Sequence, residues 1–113
     1  MIITTDKPYT KHEIANLQEV FGSYIKTVID LDKKICTAGM DRHFEGEAIL
    51  LDQGSKQADI WGGGIDTVNK TIDCNSFINI RPNDNNESND ILDSKLRKQY
   101  QELTKQFFQA IYD

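Results

Sequence analysis

Apolar and polar residues alternate along several short segments of the chain. Alternation with a period of two is typical of β-strands that bury one face. In one such segment Ile25, Ile29 and Leu31 fall on one face, and Lys26 and Asp30 fall on the other. The pattern predicts six strands, at residues 2–5, 24–31, 35–40, 43–51, 58–65 and 77–81.

Apolar residues recur at helical spacing near each end of the chain, which predicts two helices. The first covers residues 11–21, where Thr10 and Glu13 fit a capping box and Gly22 supplies the stop. The second covers residues 94–111. Its apolar stripe comprises Leu96, Tyr100, Leu103, Phe107 and Ile111.

The predicted element order is β-α-β-β-β-β-β-α. Runs of hairpin-connected strands flanked by helices indicate an α+β fold. We expect a single domain over residues 1–113, with a mostly antiparallel sheet of about five or six strands and the N-terminal and C-terminal helices packed on one face. Three consecutive glycines, Gly62 to Gly64, fall inside a predicted strand. They indicate a bulge or the close approach of another backbone segment.

The composition restricts the classes of partner. The 113 residues include 13 Lys and Arg against 18 Asp and Glu, a net charge of -5. Nucleic-acid binding relies on a cationic surface that neutralises phosphates, so this charge disfavours nucleic acid as a partner. No apolar run approaches the roughly 18 residues of a membrane span, so we expect no membrane partner either.

The two cysteines, Cys36 and Cys74, bear on the cellular compartment. The first six residues contain neither the basic nor the apolar part of a secretion signal. We therefore expect a cytoplasmic protein, in which two cysteines are more often buried thiols than a disulfide.

His43, Glu45 and Glu47 form the first candidate site. In a strand, residues two apart share a face, so one imidazole and two carboxylates would converge. That set suits a divalent metal ion, the one cofactor that the sequence suggests, or acid–base chemistry. The simpler interpretation is the solvent-exposed face of an amphipathic strand.

The second candidate site is a set of polar and aromatic residues, supplied by two segments of the chain, that we expect to bind a ligand. The segment after the turn at Gly54 has the wrong spacing for a phosphate-binding loop. Arg81, at a strand end, can bind a carboxylate or phosphate, and Trp61 is either a stacking platform or a core residue. Asn86 and Ser88 are equally suited to turns and caps. The candidate residues are Gln57, Asp59, Trp61, Arg81, Asn86 and Ser88.

The sequence pattern around these polar residues resembles that of an uncharacterised bacterial and archaeal family of small single-domain proteins of unknown function. The family pattern contains a His-x-acid-x-Glu stretch, Gly-Ser-x-Gln-x-Asp-Leu-Trp-Gly and Ile-Asn-Ile-Arg-Pro, followed by Asn-x-Ser and a final helix. The resemblance covers nearly the whole chain. Glu45 stands where Asp is expected, and Gly63 and Gly64 replace a more ordinary strand. The resemblance implies a bacterial origin and brings no activity, cofactor or substrate.

Two hypotheses on function follow from these residues. The first is a non-catalytic module that binds a small ligand or a protein partner, with homodimers possible through open sheet edges. The alternative is a small metal-dependent hydrolase acting on a phosphate ester. In it His43, Glu45 and Glu47 would hold the ion, and Arg81 would bind the anionic group.

Overall fold

Five strands form one antiparallel sheet in the computed structural model, which describes all 113 residues. The strands lie in the order β1-β3-β2-β4-β5. Their bounds are Ile3–Thr5 for β1, Tyr24–Asp30 for β2, Ile35–Ala38 for β3, Ile60–Asp66 for β4 and Thr71–Asp73 for β5. The helices are α1 (Lys11–Phe21), α2 (His43–Asp52) and α3 (Ser94–Phe107), and the 3-10 turns are Gln57–Asp59, Phe77–Asn79, Pro82–Asp84 and Gln109–Ile111.

Local sequence explains where α1 and α3 begin and end. The Thr10 hydroxyl accepts from the Glu13 N–H, and the Glu13 carboxylate accepts from the Thr10 N–H. Gly22, with a φ of 80°, ends α1 in the left-handed region that glycine adopts without strain. The Asp93 carboxylate caps α3. The predicted helix at residues 11–21 is confirmed, and α3 begins at its predicted residue.

The sheet separates two apolar clusters. Helices α1 and α3 cover one face, where Leu17 and Tyr100 pack in a cluster with Ile25 and Trp61. Helix α2 covers the other face, where Leu50 packs in a second, smaller cluster. The predicted α+β class is confirmed, and the N-terminal and C-terminal helices share one face as expected. None of the three helices combines the length and apolar content needed to cross a membrane.

The three glycines of β4 permit close approach of neighbouring atoms, and at Gly63 the neighbour is backbone, one of the two outcomes expected for this segment. A Cβ on Gly63 would lie 2.3 Å from the Asp73 carbonyl oxygen, and one on Gly64 would lie 2.1 Å from the Tyr24 hydroxyl. Any side chain here would separate β4 from its neighbours, so the glycines keep this part of the sheet tightly packed.

Two predicted strands are wrong. Residues 43–51 form most of α2, and the segment at 77–81 contains a 3-10 turn, Phe77–Asn79, instead of a strand. The fifth strand of the sheet is β5, a three-residue segment that follows a turn at 67–70. The two buried cysteines are free thiols, as expected.

Candidate functional site

The three proposed metal ligands lie on α2 and point to three different partners. The Glu45 carboxylate accepts from the Arg42 N–H at 3.0 Å. The Glu47 carboxylate accepts from the Gln57 amide at 2.6 Å. His43 contacts the Gly63 carbonyl. A helix turns about 100° per residue, so residues two apart do not share a face as they do in a strand. The chain contains no group of three His, Cys, Asp or Glu residues placed to hold a metal ion.

The structure brings two of the other predicted residues, Trp61 and Gln57, into contact with Arg81. Its guanidinium stacks on the Trp61 ring, 3.9 Å from the ring centroid. It also donates to the carbonyls of Gln57 and Ile60. Burial lowers the Arg81 pKa, and the carboxylates of Asp84 and Glu47 partly offset this effect. Arg81 therefore attaches its loop to the start of β4, and two of its three nitrogens are already occupied.

Asn86 and Ser88 also bind within the chain. The Asn86 amide donates to the carbonyls of Asn79, Ser88 and Asp90, and its carbonyl accepts from the Leu92 N–H. The Ser88 hydroxyl accepts from the Asp90 N–H. These contacts fold residues 82–92 onto themselves, which is the turn-forming role that the sequence left open.

Asp59 lies apart from this network. It lines a small cleft of about 160 Å³ together with Trp61 and Gln99. The Trp61 indole N–H is buried and has no partner. Trp61 is thus both a core residue and a neighbour of a cleft, while the ring face contacted by Arg81 is closed to a ligand.

The largest cavity lies elsewhere, at the N-terminal end of α2. Its volume is about 390 Å³. Strand β2 contributes Lys26 to the lining. Arg42, the residue before α2, contributes a second cation, and α2 itself contributes His43 and Phe44. The 3-10 turn after β5 closes the other side. The lining residues are Lys26, Arg42, His43, Phe44, Ser76, Phe77 and Ile78.

Two aromatic side chains at this cavity are exposed to solvent. Phe77 is 85% exposed and Phe44 is 56% exposed. Large apolar side chains grouped on a surface mark binding sites more often than single exposed ones do. The rim of the cavity therefore offers two aromatic rings to a ligand.

The cavity is also lined by two cations that form no salt bridge within the chain. Neither Lys26 nor Arg42 forms an ion pair, because the only two salt bridges of the chain join Arg97 to Asp90 and Lys98 to Glu102. The Lys26 ammonium donates to the Asp41 carbonyl and keeps two further N–H groups. Both cations are free to bind an anion.

His43 is a neutral hydrogen-bonding group in this cavity. Burial lowers its pKa and nearby Lys26 lowers it further, while the bond to Gly63 and the charge of Asp73 act in the opposite direction. Its Nε2 lies 2.7 Å from the Gly63 carbonyl oxygen. A carbonyl only accepts, so Nε2 carries the proton and the neutral ring leaves Nδ1 as an acceptor.

Of the predicted site residues, the cavity contains only His43. Lys26, Arg42, Phe44 and Phe77 were not among the predicted site residues. Phe44 and Phe77 lie in the two segments, 43–51 and 77–81, that were predicted as strands, whereas Lys26 lies in a strand that was predicted correctly. One signal was available: Phe44 precedes Ala48 and Leu51 at helical spacing. An apolar ring that continues such a stripe into solvent is a candidate contact residue.

The chain matches one family model along most of its length. The model is described as a protein of unknown function (DUF5674), and it matches residues 1–107. No curated protein and no solved structure matches the chain.

Proposed function

We propose a function for this chain, which belongs to the DUF5674 family of proteins of unknown function, from the geometry of its largest cavity. It is a non-catalytic module that binds a small anionic ligand with an aromatic or other flat apolar part. The ligand occupies the cavity at the N-terminal end of α2, with its anionic group on the cations and its apolar part between the rings.

The observation that carries the proposal is the 85% exposure of Phe77 at the rim of a cavity lined by unpaired cations. Leaving such a ring in water costs on the order of 2 kcal/mol relative to burying it. A ligand ring that stacks on Phe77 recovers part of that energy. Aromatic pairs add about 1 kcal/mol beyond the buried area.

The charge distribution supports an anion. The chain has a net charge of -5, yet Lys26 and Arg42 meet at one cavity without a carboxylate partner. Arg binds carboxylate or phosphate through paired N–H groups, and Lys acts as a point charge. A bound anion would supply the ion-pair partner that both cations lack within the chain.

The size of the cavity and its chemistry support binding rather than turnover. A volume of about 390 Å³ falls within the usual range for small-molecule sites, roughly 300–1,000 Å³. His43 points its N–H at Gly63, and the one hydroxyl in the lining, that of Ser76, accepts from the Ile78 N–H. The lining contains no base paired with a nucleophile, which covalent catalysis needs.

The proposal is tested by titrating the protein with phenyl phosphate and, separately, with neutral benzyl alcohol. Amide chemical shifts of the isotope-labelled protein serve as the readout. Phenyl phosphate is expected to shift amides around residues 42–44 and 76–78 with a Kd of about 1 mM or below, the range for a ligand of this size. Benzyl alcohol is expected to bind at least tenfold more weakly, because it lacks the charge.

Matched variants locate the binding energy. Arg42→Gln and Phe77→Ala are each expected to weaken the binding of phenyl phosphate about three- to fivefold, because one exposed charge or one aromatic contact contributes up to about 1 kcal/mol. Lys95→Gln and Val68→Ala change equally exposed residues outside the cavity and should leave the Kd unchanged. Equal binding of the charged and neutral probes, or shifts centred elsewhere, would refute the proposal.

A further inference from the structure

Helix α2 carries an apolar stripe on the side that faces away from the sheet. Phe44 is 56% exposed, Leu51 is 40% exposed, and Ala48 between them is also exposed. Residues at i, i+4 and i+7 lie above one another on one side of a helix. We call Phe44, Ala48 and Leu51 the α2 outer stripe.

The inner side of α2 is already packed against the sheet. Leu50 is fully buried in the smaller apolar cluster, and Gly46 is buried against β3. A Cβ on Gly46 would lie 2.5 Å from the Thr37 hydroxyl, so the helix rests directly on the sheet. A helix that is apolar on both sides is typical of one packed between two layers. The sheet covers the inner side of α2, whereas no second layer covers the α2 outer stripe.

We propose that the second layer is another copy of this chain. The two α2 helices pack antiparallel across a two-fold axis that passes near Ala48. A two-fold interface uses the same surface on both copies, so the surface must complement itself. The outer stripe meets this condition: Phe44 of one copy lies beside Leu51 of the other, and the two Ala48 side chains meet at the centre.

The charges at the ends of α2 support this arrangement. Arg42 precedes the helix and Asp52 ends it, and neither forms an ion pair within the chain. Antiparallel packing brings Arg42 of each copy towards Asp52 of the other. The opposite ends of the two helix dipoles also meet, which is the favourable arrangement. Parallel packing would instead place Arg42 against Arg42 and Asp52 against Asp52.

The size of the central residue supports close packing. Helices pack with their axes about 8–10 Å apart, and small side chains at the crossing point allow the shorter distance. Ala48 provides that crossing point. The patch is smaller than a standard stable interface, so we expect a weak dimer.

The sheet edges are poorer candidates for self-association. The two edge strands, β1 and β5, have three residues each. Short edge strands present few unpaired backbone groups, and this is one way in which proteins prevent edge-to-edge pairing. The edge-mediated dimer that the sequence left possible therefore has little surface to use, whereas α2 offers an apolar surface.

The dimer is tested by sedimentation velocity between about 10 µM and 1 mM, the range of a weak interface. The mean mass is expected to rise towards twice 12.9 kDa with concentration. Ala48→Glu is expected to weaken the dimer at least tenfold, because it places two like charges at the centre. Val68→Glu and Val20→Glu add the same charge at exposed apolar residues outside the stripe and should leave the mass curve unchanged.

A charge exchange gives a second test that does not depend on the stripe. Arg42→Asp and Asp52→Arg are each expected to weaken the dimer several-fold, and the double variant is expected to restore it. Circular dichroism checks that every variant is folded. A chain that stays monomeric at all concentrations, an Ala48→Glu variant that dimerises normally, or a double variant without recovery would each overturn the proposal. Arg42 and Phe44 also line the cavity, so the charge exchange affects both proposals. Ala48 and Leu51 do not line it, so Ala48→Glu tests the dimer alone and a failed dimer leaves the ligand-binding proposal to its own test.

Discussion

Asn79 is fully buried, and its carboxamide joins three separate segments of backbone. Its Oδ1 accepts from the Gly62 N–H at 2.9 Å. Its Nδ2 donates to the carbonyls of Gly62 and Cys74 at 2.9 Å, and to that of Asn89 at 3.1 Å. One side chain thus ties the loop after β5 to the middle of β4.

Replacing Asn79 with alanine should therefore be costly. Each net hydrogen bond contributes about 1 kcal/mol, and a buried group left without a partner costs about 1–3 kcal/mol. We expect Asn79→Ala to lower the free energy of unfolding by about 3 kcal/mol and the melting temperature by on the order of 10 °C. Thermal unfolding followed by circular dichroism measures this. Asn75→Ala, at an exposed asparagine close by, should change the melting temperature by less than about 2 °C.

Arg81, Trp61 and Asn79 differ in how far their roles could be predicted from the sequence. The sequence grouped Arg81 and Trp61 as a possible site, and they do lie in contact. The Arg81 guanidinium donates to backbone carbonyls of the chain itself, which cannot be read from residue types because Arg binds backbone carbonyls as readily as ligands. Asn79 belongs to the Ile-Asn-Ile-Arg-Pro stretch of the resemblance but was not among the candidate site residues, because its importance comes from burial that only the fold creates.

At the scale of elements, His43 attaches the start of α2 to β4 through the Gly63 carbonyl. Burial lowers the pKa of His43 below its value of 6.5 in an unfolded chain. Between these two pKa values the unfolded chain binds a proton that the folded chain does not. The contribution of His43 to the free energy of unfolding is therefore fully present above pH 6.5. It is lost as the pH falls towards the lower pKa of the folded state.

We expect the free energy of unfolding of the wild type to fall from pH 7 to pH 5, with a contribution from His43 of at most about 1.4 kcal/mol per pH unit. Urea unfolding at a series of pH values measures this slope. His43→Gln keeps a donor for the Gly63 carbonyl and cannot take up a proton, so its slope should be flatter. His12→Gln, at the exposed second histidine, should retain the wild-type slope. Equal slopes in all three proteins would contradict this account.

The same helix explains why part of the topology was mispredicted. His43, Glu45 and Glu47 alternate with smaller or apolar residues, as in a strand, and the preceding Arg42 has no side chain that accepts a capping bond. Gly46 also lowers helix propensity. The structure requires glycine there, because Thr37 lies where a Cβ would be. Tertiary packing therefore outweighed the local pattern, whereas α1, with its capping box, carries its own start signal.

At the scale of the whole molecule, the larger apolar cluster holds both cysteines. Cys36 lies in β3, between the edge strand β1 and the central strand β2, and Cys74 follows β5 at the opposite edge. Burial raises the pKa of the Cys36 thiol to about 12 and that of the Cys74 thiol to about 11. The thiolate is the reactive form, so both residues are protected by low accessibility and by a high pKa.

Thiol labelling can therefore report how the molecule opens. At pH 8 a disulfide reagent such as dithionitrobenzoate is expected to react with two thiols per chain in denaturant and only slowly with the folded protein. Labelling of the single-cysteine variants Cys36→Ala and Cys74→Ala separates the two sites.

Cys74 lies beside an edge strand of three residues and under the loop that Asn79 holds, so this region should open before the central strands. We expect Cys74 to react at least tenfold faster than Cys36, and Asn79→Ala to accelerate Cys74 more than Cys36. Equal rates at both thiols would show instead that the loop and the sheet open only as one cooperative unit.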